Sequence, residues 1–114
     1  MEIPVKIKGL LRKRDTDDVE FCEVLGNSTL IHFFNGDEAR MRCSLTEFVK
    51  KYGSPQGIIS AHRKYVVNLR LVNQRIKYCL CEMQCGKKIE LGREADKIIS
   101  DYLSRKGKKT ASSN

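Results

Sequence analysis

The residues of this chain with chemistry to offer are its cysteines, two histidines and a few clustered cations, and their spacing decides among chemistries. Cys79, Cys81 and Cys85 form a Cys-x-Cys-x-x-x-Cys cluster. Structural zinc sites usually draw ligand pairs from tight turns, and here a fourth ligand would have to come from Cys22, Cys43 or a histidine. On one strand Cys79 and Cys81 point to the same face, with Cys85 close to a turn at Gly86. The expected role of these thiols is packing, since free cysteine behaves as a small buried hydrophobe. Five cysteines are an odd number without framework spacing, so they are expected to stay reduced. No metal and no cofactor are expected.

The histidines are His32 and His62. His32 stands between Ile31 and Phe33 and reads as a structural side chain rather than a base. No Ser/His/Asp or Cys/His arrangement and no glycine-rich phosphate loop is present, and the acids are scattered rather than paired. An enzyme is therefore not expected, nor a small-molecule substrate. The trio His62-Arg63-Lys64 is different, because it is polar between two apolar runs and core packing does not require it. A donor-rich loop there suits a nucleic-acid groove, where Arg and Lys serve phosphates and Arg can bond guanine bidentately. A solvated turn between edge strands fits the residue types equally well.

Such loops need strands to hold them, and the pattern supplies many short ones. Residues 3–8 alternate apolar and polar, and residues 11–18 read as a charged, turn-like run. Residues 19–25 alternate again, with Val19 and Phe21 on one face against Glu20, Cys22 and Glu23, and Gly26-Asn27 breaks the run. Residues 28–34 form a further strand, Asn35-Gly36 signals a type I′ hairpin turn, and residues 38–43 return. Ser44 and Glu47 have capping-box spacing, Leu45, Phe48, Val49 and Tyr52 share a helical face, and Gly53 is placed to end that helix. After the loop at Pro55 and Gly57, short strands follow at 58–59, 65–67 and 71–76, then a hairpin from 78–83 and 87–91. Ala95, Ile98, Ile99, Tyr102 and Leu103 make an amphipathic C-terminal helix. The expected fold class is mainly β, a β-rich α+β domain with two short helices.

With 114 residues the chain holds one domain, expected over 1–105, followed by a disordered basic and polar tail over 106–114. Its 22 Lys and Arg outnumber 14 Asp and Glu for a net charge of +8, but Arg105, Lys106, Lys108 and Lys109 supply half of that excess. The charge permits phosphate binding without demanding it. No stretch is apolar enough to span a membrane, and the N-terminus, with Lys6 and Lys8, is no secretory signal, so a cytoplasmic location is expected.

The segment around the polar trio resembles the most distinctive motif of the LytTR family of DNA-binding domains. His62, Tyr65, Val67 and Asn68 match that motif and Val66 fits it. Residues 19–36 resemble the family's entry strand, polar loop and hairpin, residues 41–52 its helix, and residues 89–93 its closing strand with an Arg-bearing loop. The resemblance is clearest over 19–103.

What it implies is an elongated set of small antiparallel sheets whose three loops enter successive major, minor and major grooves of double-stranded DNA. By position the first loop carries Asn27 and Ser28, the second His62, Arg63 and Lys64, and the third Arg93. Ser28, Arg63 and Arg93 align with base-contacting positions, and Arg93 is the residue type the family often sets against a base edge. Ser28 is shorter than many residues found at its place. Asn27 also fits a turn residue tolerant of positive φ, His62 a support packed beneath its loop, and Asn68 a brace for backbone groups. A pairing of Arg93 with Glu94 or Asp96 is the structural alternative for that side chain. The implied function is transcriptional regulation in bacteria, as in the response regulators of two-component systems, on promoter repeats with a weak or DNA-induced homodimer. The alternatives are a LytTR-like protein–protein module that sequesters a DNA-binding partner, and a single-strand or RNA binder, which would favour exposed stacking aromatics.

Overall fold

A computed structural model describes the backbone of residues 1–112 and the side chains of residues 1–106. Strands β1 (Glu2–Ile7) and β2 (Leu10–Asp15) form an antiparallel hairpin. The central sheet has five antiparallel strands in the order β5-β4-β3-β7-β6, from β3 (Val19–Leu25), β4 (Ser28–Phe33), β5 (Glu38–Met41), β6 (Ile58–His62) and β7 (Tyr65–Asn68). Helix α1 (Leu45–Tyr52) lies between β5 and β6 in the chain. A three-stranded sheet, β8 (Val72–Lys77), β9 (Leu80–Met83) and β10 (Lys88–Glu90), precedes helix α2 (Arg93–Ser112). The molecule is elongated, 47 × 27 × 24 Å, and β-rich as expected. Among the described residues no helix is long and apolar enough to cross a membrane.

The central sheet is buried on both faces. One face packs with the hairpin and α1 around Ile3, Val5, Cys22, Ile31, Phe48 and Val66. The other packs with the three-stranded sheet and α2 around Phe21, Val67, Leu69, Met83, Ile89 and Ile99. Strand period 2 sends Val66 and Val67 to different cores.

Several local expectations change. Residues 11–18 are not turn-like throughout, because β2 occupies Leu10–Asp15 and a short 3-10 turn occupies Thr16–Asp18. β2 buries none of its side chains, so it carries no alternating apolar signal and owes its strand to pairing with β1. The turn with positive φ at both central residues is Lys8-Gly9 (51° and 79°), the pattern of a type I′ hairpin. At Asn35-Gly36 only Gly36 has positive φ (94°). There the Asn35 carboxamide oxygen accepts from the Asp37 N–H at 3.1 Å, an Asx turn that needs no left-handed asparagine. In the β3–β4 turn it is Gly26, at φ 59°, and not Asn27, that adopts positive φ.

The expected single apolar face of β3 is also corrected. A bulge between Val19 and Phe21 shifts the register, so Val19 and Phe21 enter opposite cores and Cys22 is buried beside Val19. Glu20 is 2% exposed, and its carboxylate accepts from the Cys85 N–H at 2.8 Å across 65 residues of chain. Cys79 does not share a strand face with Cys81, because it occupies the β8–β9 turn at φ 60°. Burial pushes the Cys81 thiol up to about 11 and Cys22 higher still, which disfavours the thiolate that metals and electrophiles require.

The capping box at Ser44 and Glu47 is complete, with Glu47 N–H to Ser44 Oγ at 3.1 Å and Ser44 N–H to Glu47 Oε1 at 3.2 Å. The C-terminal helix runs from Arg93 to Ser112, longer than its apolar stripe. Of the expected disordered tail over 106–114, the backbone of 106–112 continues α2, and 113–114 lie outside the described residues. His32 packs flat on Phe21, with ring centroids 4.2 Å apart, and its two ring nitrogens meet Glu23 at 2.8 Å and Glu38 at 3.0 Å.

Asn68 braces backbone groups, as its place after a strand suggests. Its amide donates to the carbonyls of Val19 at 2.8 Å and Asp17 at 3.2 Å, and its oxygen accepts from the Arg70 N–H at 3.1 Å. The side chain is 2% exposed, so its removal leaves three backbone groups short of a partner. Asn68→Ala is expected to cost about 3 kcal/mol, read as a lower urea midpoint with an unchanged denaturant slope.

Candidate nucleic-acid interface

Three turns lie next to one another at one side of the central sheet. The first joins β3 to β4, pairs Leu25 with Ser28, and follows the type II′ pattern with glycine at its first central position. Asn27 is exposed and Ser28 half-buried. Directly after Ser28, the buried Thr29 hydroxyl donates to the Cys43 carbonyl at 2.9 Å, which draws the segment before α1 against this turn. Arg42 is thereby brought beside Asn27 and Ser28.

The second turn joins β6 to β7 through Arg63 and Lys64, both exposed. His62 Nδ1 accepts from the Lys64 N–H at 3.3 Å, so the imidazole braces its own turn, and Nε2 carries the proton of the neutral ring. The Lys64 carbonyl accepts from the Val24 N–H at 3.1 Å, which fixes the second turn to β3 near the first. Tyr65 packs against the core, with the Lys87 ammonium 5.8 Å from its ring centroid.

The third turn leads from β10 into α2. The Gly92 N–H donates to the Ala61 carbonyl at 2.7 Å, and the Leu91 N–H to the Cys79 carbonyl at 2.9 Å. Arg93 is the first residue of α2, exposed. A cation there opposes the helix dipole, whose N-terminal end favours anions. The expected alternative, a pairing with Glu94 or Asp96, is not what forms, as Arg93 meets neither in an ion pair. Asp96 accepts instead from Arg75 Nε and Nη2, both at 3.0 Å, and from the Cys79 N–H at 2.9 Å. Among the described residues Arg93, Arg63, Lys64 and Arg42 make no ion pair.

Two shallow depressions link the turns. One lies between Ser60, His62 and Arg63 on one side and Gly92 and Arg93 on the other. The second is bordered by Gly26, Asn27, Ser28, Arg42, Ser44 and Arg63. Arg63 edges both, so the candidate residues form one continuous surface, with Lys64 just outside the depressions. The nearby acids are Glu47, engaged by Ser44, and Glu94. Arg42 is the member that sequence reasoning missed. It falls between a strand and a helix cap, in phase with neither, and only the Thr29 bond across 14 residues reveals its neighbours.

Such a surface presents guanidinium and ammonium groups on tied-down turns without a deep cavity, which suits a large anionic partner rather than an enclosed small molecule. Comparison with known proteins bears on which partner. A family model described as the LytTr DNA-binding domain matches residues 11–103. Among solved structures, the LytTr DNA-binding domain of a protein described as a methyl-accepting/DNA response regulator from Bacillus cereus is similar in fold. It superposes with a TM-score of 0.72 at 15% identity, over 90% of this chain and 95% of that one. No curated protein sequence matches the chain.

The Asp96 contacts carry a pH signature. Hydrogen bonds from Arg75, then from the Cys79 N–H, hold the Asp96 carboxyl below the usual carboxylate range. A depressed acid contributes stability that is fully present above its unfolded pKa and is lost as pH falls through the folded one. Asp96→Asn should therefore be less stable than the wild type near neutrality, with the gap closing at acid pH. Urea denaturation across a pH series checks this, and a gap that stays constant would exclude the charge as its cause.

Proposed function

The chain belongs to the LytTR family of DNA-binding domains, and on that premise we propose that it binds double-stranded DNA sequence-specifically through its three adjacent turns and regulates transcription. In this reading Arg93 and Arg63, with Ser28, select bases by hydrogen bonding in successive grooves. Asn27, Lys64 and Arg42 meet phosphates and set the register, and His62 holds the second turn in shape. The mechanism is non-catalytic binding in the cytoplasm, and two copies that dimerise weakly, or only on DNA, fill repeated promoter sites.

The observation that carries the reading is the continuity of the surface, with Arg63 shared by two depressions that also touch Arg93 and Ser28. Cations left without acid partners on braced backbone keep their donors available for an incoming anion. Arg93 adds a specific point, since a cation at a helix N-terminus opposes the dipole and calls for a compensating contact outside the fold.

Selection of bound sequences from random duplex DNA, followed by fluorescence anisotropy at two salt concentrations, tests this. Wild type is expected to enrich a motif, and binding limited to a salt-sensitive background would overturn sequence-specific reading. Arg93→Ala should lose about 1–3 kcal/mol on the selected site and relax preference at one base position. Arg42→Ala should instead weaken all sequences alike and reduce the salt slope by about one, the signature of a phosphate contact.

A further inference from the structure

Asp96 is 4% exposed, and both of its oxygens are occupied by Arg75 and by the Cys79 N–H. Taking an ion pair out of water is costly, and apolar residues of similar volume often serve stability as well or better. What a bidentate guanidinium–carboxylate pair supplies is direction, because two parallel N–H···O bonds fix both distance and angle. The pair joins β8 to the first turn of α2, three residues beyond Arg93.

Its neighbours complete a set. Cys79 is a non-glycine residue at φ 60°, a left-handed conformation that L side chains rarely adopt. It is held there by Asp96 on its N–H and by Leu91 on its carbonyl. Gly92 is tied to Ala61 by its N–H and to the Asp96 N–H by its carbonyl. The backbone leading into Arg93 is therefore anchored at Leu91 and Gly92, while the Arg93 side chain has no partner of its own among the described residues.

We propose that the Arg75–Asp96 pair is a positioning clamp that sets the pose of Arg93 for base recognition, making Arg75 and Asp96 specificity determinants that touch no DNA. This rests on the reading of Arg93 as a base-contacting residue. Base readout by a guanidinium depends on its angle as well as its charge, so loosening the helix start blurs selection before it weakens attraction to phosphates.

The test measures binding of the whole chain to the selected duplex and to its single-base variants, for wild type, Arg93→Ala, Arg75→Ala, Arg75→Lys and Asp96→Asn. Val5→Ala, in the opposite core, serves as a control for lost stability. Arg75→Ala removes a cation and Asp96→Asn an anion, so through electrostatics alone they move DNA affinity in opposite directions. As a clamp they act alike, each lowering discrimination about ten-fold at the base position that Arg93→Ala relaxes. The salt slope and Val5→Ala discrimination stay as in wild type. Arg75→Lys, which keeps the charge without the fork and perturbs folding least, shows the same positional loss in smaller degree.

If Arg93→Ala relaxes one position while folded clamp variants keep wild-type discrimination there, the clamp is wrong and the groove-reading assignment survives. If Arg93→Ala keeps full discrimination, that assignment fails and takes the clamp with it. A salt slope reduced by about one in Arg75→Ala would make Arg75 a direct phosphate contact and overturn the proposal.

Discussion

Val66 and Val67 are adjacent in the chain yet sit in different hydrophobic cores, and the placement of the surface formed by the three turns follows from that alternation. In a sheet buried on both faces, a slip of one residue would exchange the contents of the two cores. Register is therefore fixed far more firmly than in a sheet with one wet face. Because β7 pairs with β3 on one side and β6 on the other, its register dictates where the turn at Arg63 emerges relative to the turn at Gly26. Bulges in β3 and β6 adjust the two faces locally without releasing that constraint.

Charge is distributed along the molecule in a way that fits this division. Arg14 meets Asp37 at 2.9 Å, Arg70 meets Asp17 at 3.1 Å, and Arg75 meets Asp96, all at positions that tie elements together. Pairing consumes those cations. Arg42, Arg63, Lys64 and Arg93 gather where turns meet and have no acid partner among the described residues. A net charge of +8 says nothing of this partition, because arrangement and not total decides which cations stay available.

Features encoded within a few residues were readable from sequence. The Ser44–Glu47 cap, the glycine-bearing turn after Leu25 and the apolar stripe of α2 each depend on near neighbours. The family motif around His62 and Asn68 also lies within one short segment, and residue chemistry alone pointed to Asn68 as a brace. Long-range dependence defeated the rest. β2 has no buried face and is a strand because of β1, the β3 bulge answers to two cores at once, and Arg42 joins the surface through a hydroxyl on another strand. Arg75 was invisible for the same reason, since its partner lies 21 residues away on a different kind of element.

The buried carboxylate of Glu20 has a consequence for how the domain comes apart. Two separate cores would ordinarily allow two separately melting halves. Glu20 belongs to the central sheet, while the amide it accepts from belongs to the β9–β10 turn of the smaller sheet. Peeling the smaller sheet away breaks that charge-assisted bond and returns both groups to water, a net loss of about 1.5–3 kcal/mol on top of the lost apolar contact. A bond of this kind between the two sheets favours joint over separate melting of the two cores.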